Sequence, residues 1–216
     1  MISVVITAGG SSTRFNGNNK LLYELNGKPV IIYSVELFNS FDFIDEIVIS
    51  SNVTLIPFFE KMFEGLKKVK IVKGGNTRQK SVFNGLKSCS NPEYVLIHDA
   101  ARPFVTREIV ENCINKAKQT GAAIVAVKTV DTIKIVDENG IVSSTPNRAM
   151  LWNAQTPQIF KYDLILSLHE KYSDFDFTDD SLLFEKAGLP VSISEGEYSN
   201  IKITTIQDVE KINKKN

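Results

Sequence analysis

Short apolar runs alternate with stretches of helical spacing along most of this chain, and that alternation predicts a sheet covered by crossover helices. The first run, Ile2–Thr7, is β-branched and reads as a buried strand. Glu46–Ser50, Val69–Val72, Tyr94–His98 and Ala122–Val127 read likewise, with further strands at Val191–Ser194 and Asn200–Thr204. Helices are expected over Pro29–Asn39, Val53–Leu66, Ser81–Lys87, Glu108–Gln119, Tyr162–Tyr172, Asp180–Lys186 and Ile206–Asn213. Pro29 suits a first helical turn, and Gly121 is placed to stop the helix before it. The alternation breaks once. Thr132–Asp137 and Ile141–Ser144 flank Glu138-Asn139-Gly140, which predicts a β-hairpin with an Asn-Gly turn. That hairpin has too few large apolar residues for a core of its own, so it is expected to project as an arm, either wet or packed on a second subunit.

The first strand breaks into Ala8-Gly9-Gly10-Ser11-Ser12-Thr13, followed by Arg14 and then Lys20. Small residues let backbone N–H groups approach a phosphate, and two cations can neutralise it, so this segment is a candidate triphosphate site. A Walker loop needs G-x-x-x-x-G-K-[ST], a spacing that Gly9, Gly10 and Gly17 do not supply. A dinucleotide fingerprint needs G-x-G-x-x-G, and only the adjacent pair is present. The alternative is an ordinary βα turn with two solvated cations.

At 216 residues the chain suits one substantial α/β domain over residues 1–216, with the arm at about 129–150 as an insertion. Hydrophobic content is 43% and no apolar run approaches membrane-spanning length. The chain enters its first strand at once, which leaves no room for a signal peptide. Twenty-five basic residues balance 25 acidic ones, so no bulk field favours nucleic acid or a membrane surface. Cys89 and Cys113 are isolated, and His98 and His169 are too separated for a metal cluster. A cytoplasmic enzyme is the expectation.

In open α/β sheets ligands bind beyond the carboxyl ends of the strands. Three groups fall there: the Gly9–Arg14 loop, Gly74-Gly75 with Arg78, and Asp99 with Arg102. Asp99 precedes the small pair Ala100-Ala101 and could hold Mg²⁺ against phosphate oxygens, or it could cap its turn and pair with Arg102. Lys202 alternates with Ile201 and Ile203, which fits either a site cation or a solvent-facing edge strand. His98 reads as a satisfied near-core histidine, Ser81 as a helix cap, and Thr178-Asp179-Asp180 as the N-cap of the helix that follows.

Taken together, Ala8-Gly9-Gly10-x-x-x-Arg14, Lys20, His98-Asp99-Ala100-Ala101-Arg102-Pro103-Phe104, Trp152-x-x-x-Thr156-Pro157-Gln158 and Asn200-Ile201-Lys202 resemble the 2-C-methyl-D-erythritol 4-phosphate cytidylyltransferase family of the non-mevalonate isoprenoid pathway. The match runs from about residue 2 to 210, and the HDAARPF segment is its most specific part. The resemblance implies a Rossmann-like nucleotidyltransferase domain with a mixed, mostly parallel sheet, and a β-arm that joins two subunits in a homodimer. It implies transfer of CMP from CTP to the polyol phosphate with Mg²⁺ or another divalent cation. Arg14, Lys20 and Lys202 are then the catalytic cations. Ala8, Gly9, Gly10, Gly75, Ser81, Asp99 and Ala100 line the nucleotide, with Asp99 also the metal ligand. Arg102, Thr132, Arg148 and Thr156 bind the acceptor, partly from the neighbouring subunit.

The chain departs from the family pattern at Ser12, where many members have a second loop glycine. It also departs at Phe15, in place of methionine, and at Asn19-Lys20-Leu21, in place of Pro-Lys-Gln. A rival reading is the same chemistry on ribitol 5-phosphate, whose enzymes tend to carry valine where Ala101 sits. Another is a silent nucleotide-binding relative, against which the retention of Arg14, Lys20, Asp99 and Lys202 speaks. An NAD(P)-dependent reductase lacks its fingerprint.

Overall fold

A computed structural model describes residues 1–9 and 19–213. Its elements run β1 (Ile2–Ala8), β2 (Glu24–Leu25), β3 (Lys28–Pro29), α1 (Val30–Asn39), β4 (Glu46–Ser51), α2 (Ile56–Met62), β5 (Val69–Lys73), α3 (Arg78–Lys87) and β6 (Tyr94–Asp99). They continue α4 (Arg107–Thr120), β7 (Ala122–Lys128), β8 (Ile135–Val136), β9 (Val142–Ser144), β10 (Trp152–Lys161), α5 (Tyr162–Lys171), α6 (Ser181–Lys186), β11 (Ser192–Glu195) and α7 (Ile206–Asn213).

The main sheet has seven strands in the order β11-β7-β10-β6-β1-β4-β5. β1 pairs in parallel with β4 and β6, β4 with β5, and β7 with β11. Only β10 runs antiparallel, wedged between β6 and β7. The sheet is thus mixed and mostly parallel, as expected.

Both faces are covered, which is why the central strands are apolar without a polar side. Val4 and Ile6 face a core with Val35 and Phe38 of α1, Phe59 of α2 and Val110 of α4. Val5, between them, faces the opposite core with Val82 of α3, Ile165 of α5 and Phe184 of α6. Helix α4 shows the local signals at work. Thr106 accepts from Ile109 N at 3.3 Å at its start, and Gly121 ends it at φ 88°, where a side chain would be strained.

Several sequence expectations change. Residues 152–161 carry no strand expectation, and a proline is unusual in a central strand because it has no N–H for the ladder. The structure accommodates Pro157 at a shift of register between Ala154 and Gln158, so that β10 pairs with β6 and β7 beyond it. The helix expected over Val53–Leu66 contracts to α2. Pro29 lies just ahead of α1 rather than inside its first turn. The expected strand Asn200–Thr204 is irregular chain; its bonds go sideways, Ile203 N to Ala101 O at 2.8 Å and Asn200 Nδ2 to Thr156 O at 3.0 Å.

In the arm, the turn is a three-residue loop. Gly140 N bonds Asp137 O at 3.1 Å, and Asp137 Oδ1 accepts from Asn139 N and Ile141 N. Gly140 takes the left-handed conformation at φ 79° while Asn139 does not, so the two-residue Asn-Gly turn is not formed.

Candidate active site

The carboxyl ends of β1, β4, β5 and β6 open onto one cleft of about 410 Å³. β1 is flanked by β4, the next strand of the main sheet in chain order, and on its other side by β6, reached only after β5, so the cleft lies where the strand order reverses. Gly9, Lys20, Gly75, Arg78, Ser81, Asp99, Ala101 and Lys202 line it. Residues from opposite ends of the chain meet here because Ile203 docks on Ala101, which hangs Lys202 over the end of β6. Lys20 Nζ reaches Ile203 O at 3.3 Å.

The loop between β5 and α3 is tied down closely. Gly74 N bonds Ser51 O at 2.7 Å and Gly75 N bonds Ser81 Oγ at 3.1 Å. Ser81 does not cap the helix. Thr77 does, accepting from Lys80 N at 3.2 Å, while Ser81 Oγ donates to Thr77 O at 2.8 Å. A Cβ on Gly75 would lie 2.3 Å from Lys80 Cβ and 2.8 Å from its carbonyl carbon, so even alanine forces the loop off the helix. Gly75→Ala is therefore expected to cost about 1–3 kcal/mol of stability, read by urea unfolding. Unchanged stability would mean that the loop gives way freely.

Asp99 is the one acid lining the cleft among the described residues. Its Oδ1 accepts from Thr7 Oγ1 at 3.2 Å and Arg78 Nε at 3.3 Å, and its Oδ2 from Lys202 Nζ at 2.7 Å. Burial alone would raise its pKa, but Arg78 and then Lys202 outweigh burial and hold it well below the carboxylate range. Burial likewise opposes the charge of Arg78, and Asp180 with Asp99 overcomes it and raises that pKa. The alternative pairing of Asp99 with Arg102 is not made. The Arg102 guanidinium donates to Asn200 O at 2.7 Å and to Ala154 O at 3.4 Å.

His98 is fully buried and bonded, as expected. Its Nε2 lies 3.2 Å from Arg102 O, which makes it the donor and leaves Nδ1 to accept from Thr156 Oγ1 at 3.0 Å. Thr156 Oγ1 in turn accepts from Asp99 N at 3.1 Å, so one neutral imidazole fixes both. Burial pushes its pKa from 6.5 down to about 4. Between those values the unfolded chain binds a proton there and the folded chain does not, so stability falls as pH drops through that window. The loss is expected to reach about 3 kcal/mol. Urea unfolding at successive pH values checks it. His98→Gln should flatten the slope in that window, and an unchanged slope would assign it to other groups.

Thr156 and Arg102 line a second, smaller cavity of about 140 Å³, which shares Arg78, Asp99 and Lys202 with the cleft. Ala8 and Ala100 are buried behind the cleft, and Ala101 rather than Ala100 faces it. Thr132 and Arg148 sit on the exposed arm, where Arg148 Nη1 donates to Val130 O at 2.8 Å; neither lines the two cavities of this chain. Gly10 and Arg14, with Ser12 and Phe15, lie outside the described residues. The sequence reading named Arg78 without giving it a role and missed Asn200 as the anchor of Arg102; the sole local signal for Arg78 was its place just past Gly74-Gly75.

A family model described as "IspD: 2-C-methyl-D-erythritol 4-phosphate cytidylyltransferase" matches residues 2–213. A protein of that name from Clostridium botulinum (strain Loch Maree / Type A3) is 45% identical over 96% of this chain and 93% of its own length. Another of that name, from Caldanaerobacter subterraneus, is 43% identical over 96% of this chain and 95% of its own. Among solved structures, a 4-diphosphocytidyl-2C-methyl-D-erythritol synthase from Anaerococcus prevotii superposes with a TM-score of 0.89 at 37% identity. That superposition covers 100% of this chain and 97% of that one.

Proposed function

The chain belongs to the 2-C-methyl-D-erythritol 4-phosphate cytidylyltransferase family, and from that premise we propose how its cleft carries the reaction. The enzyme transfers CMP from CTP to 2-C-methyl-D-erythritol 4-phosphate and releases pyrophosphate. Ribitol 5-phosphate is not the favoured acceptor.

The observation that carries the proposal is the meeting of Arg78, Asp99 and Lys202 where the two cavities join, with Lys20 in the wall of the larger one. CTP takes the larger one. Its phosphates face Lys20 and Gly9, and its base lies toward Gly75 and Ser81, with Ala8 and Ala100 behind; Gly10 and Arg14 keep the phosphate-binding role that the family resemblance implies. The acceptor phosphate enters the smaller cavity past Arg102 and Thr156 and reaches Lys202. A phosphate monoester is largely dianionic near neutral pH, since its second pKa is about 6. One of its oxygens forms a bond to the α-phosphorus as the bond to the β-phosphate bridge breaks, and pyrophosphate leaves. No general base is needed, which agrees with a neutral His98 walled off from both cavities. The barrier is charge, and fixed cations lower it by stabilising the crowded phosphorus.

One carboxylate amid cations is a poor metal cage by itself but fits a Mg²⁺ that arrives on the triphosphate, for which Asp99 would be the protein ligand. When bound, that ion neutralises phosphate charge.

We place residues 1–216 in one nucleotidyltransferase unit with the arm at about 129–150 inserted. The arm leaves Val130, Ile133, Ile135, Val136, Ile141, Val142 and Met150 at 42–77% exposure. Apolar exposure on that scale marks a protein contact, and we assign it to a homodimer that brings Thr132 and Arg148 to the acceptor of the other subunit. Ile141→Asp is expected to shift a dimer to monomer in sedimentation velocity and to raise KM for the acceptor. A monomeric parent enzyme would remove the arm from assembly. Among the described residues no helix is long and apolar enough to cross a membrane, and a cytoplasmic setting is proposed on that basis together with the substrates.

Pyrophosphate release with CTP and Mg²⁺ tests the whole reading, comparing methylerythritol 4-phosphate with ribitol 5-phosphate. A kcat/KM preference for methylerythritol phosphate is expected; a preference for ribitol phosphate would overturn the acceptor assignment.

A further inference from the structure

Asp180 has no place in the reaction as described, and within the expected cap Thr178-Asp179-Asp180 it makes no side-chain cap bond. Asp179 takes that role, its Oδ1 accepting from Ser181 N at 2.9 Å. Asp180 turns inward to 2% exposure, with Oδ2 at 2.7 Å from Arg78 Nη1 and Oδ1 at 3.3 Å from Nε2 of the buried His169. It lines neither cavity. Arg78, by contrast, stands in the wall between the two cavities and gives its Nε to Asp99.

We propose that Asp180 is a positioning residue that acts through Arg78, holding the guanidinium from behind so that Asp99 keeps one oxygen for Lys202. This rests on the placement of Lys202 and Asp99 at the reaction centre. A guanidinium pairs best with a carboxylate through two parallel N–H bonds. Here Arg78 spends Nη1 on Asp180 and reaches Asp99 with Nε only, while Asp99 Oδ2 holds Lys202 at 2.7 Å. With the Asp180 charge gone, Asp99 is the carboxylate that Arg78 already touches, whereas Asp179 acts on it only at longer range. Bidentate capture of Asp99 then displaces Lys202 from the junction where the acceptor phosphate meets the α-phosphorus. The four charges Arg78, Lys202, Asp99 and Asp180 sum to zero as the structure stands, and the loss of Asp180 leaves an excess positive charge in a partly buried wall.

The test is a double-mutant cycle in the full-length enzyme, with Asp180→Asn, Arg78→Gln and the double variant. Kinetics are read by pyrophosphate release after a thermal scan has shown each variant folded. Asp180→Asn is expected to lower kcat about tenfold while KM for CTP stays within about twofold. The double variant should turn over no more slowly than Arg78→Gln alone, because Asp180 acts through Arg78. If Asp180→Asn alone does not fold, the double variant still carries the test, since two amides leave no uncompensated buried charge. An Asp180→Asn enzyme with lowered Tm but normal kcat, or losses that multiply in the double variant, would overturn the proposal and leave Asp180 a purely structural ion pair. Wild-type turnover in Lys202→Ala would overturn the reaction centre and this proposal with it.

Discussion

Replacing Lys20 by alanine should lower kcat by on the order of a hundredfold or more, with KM for CTP raised as well. The side chain lines the cleft, and its Nζ sits 3.3 Å from the carbonyl of Ile203, next in sequence to Lys202. Two cations from chain positions 182 residues apart thus face the same small volume. Phosphoryl transfer offers a protein little covalent chemistry, so positioned charge is most of what an active site contributes. Removing a charge realised mainly in the transition state should therefore reach kcat and not KM alone. Lys20→Arg keeps the charge but exchanges a compact ammonium for a planar fork, and partial recovery is expected. Single-turnover measurement of CMP transfer decides the matter, and near-normal turnover in Lys20→Ala would remove Lys20 from the mechanism.

The second large effect is expected at Asp99. Asp99→Asn keeps the shape and one acceptor oxygen but takes the counter-charge from Arg78 and Lys202. Turnover should drop by about a hundredfold or more, because Lys202 loses the 2.7 Å contact that places it and Mg²⁺ loses its protein ligand. KM for CTP should not rise, since a polyanion meets a more positive cleft. That split distinguishes Asp99 from Lys20, whose loss weakens both parameters. Stability should fall by roughly 3 kcal/mol from the broken buried pair, most of it through Arg78, because Lys202 is partly open to solvent, which screens its share. Urea unfolding gives that number independently of the kinetics. A variant with normal kcat would exclude Asp99 from both positioning and metal binding.

The residues that could be read from the sequence share a physical reason. β1, β4, β6 and β7 are buried on both faces, so an apolar run passes through each whatever lies beside it, with polar residues left to the ends. Gly9 and Gly75 could be named because they follow β1 and β5, and Asp99 because it ends β6, where an α/β sheet leaves its ligand crevice; Lys20 was named as the second cation of the segment that follows β1. What failed depends on partners distant in sequence. Asn200–Thr204 alternates like a strand, yet Asn200 is fully buried under Thr156 while Ile201 is 39% exposed. The pattern was set by docking onto the turn after β6 rather than by a sheet. Ser81 reads as a cap because a short polar side chain beside a helix start usually is one. In the fold Thr77 accepts the free N–H of Lys80, and Ser81 ties down Gly75 instead; the cap expected in Thr178-Asp179-Asp180 is made by Asp179, which frees Asp180 for Arg78.

By itself, then, the chain determined the alternating architecture, the position of the cleft at the strand ends and the cations available to it, because strand burial, glycine loops and charge are local properties. The tertiary structure alone decided which charges pair. Arg78 lies between Asp99 and Asp180, His98 holds Thr156 across 58 residues, and β10 reverses direction inside a parallel sheet. A pairing of that kind is a competition among all the carboxylates and cations that burial brings within reach, and it has no answer until the chain has closed around them.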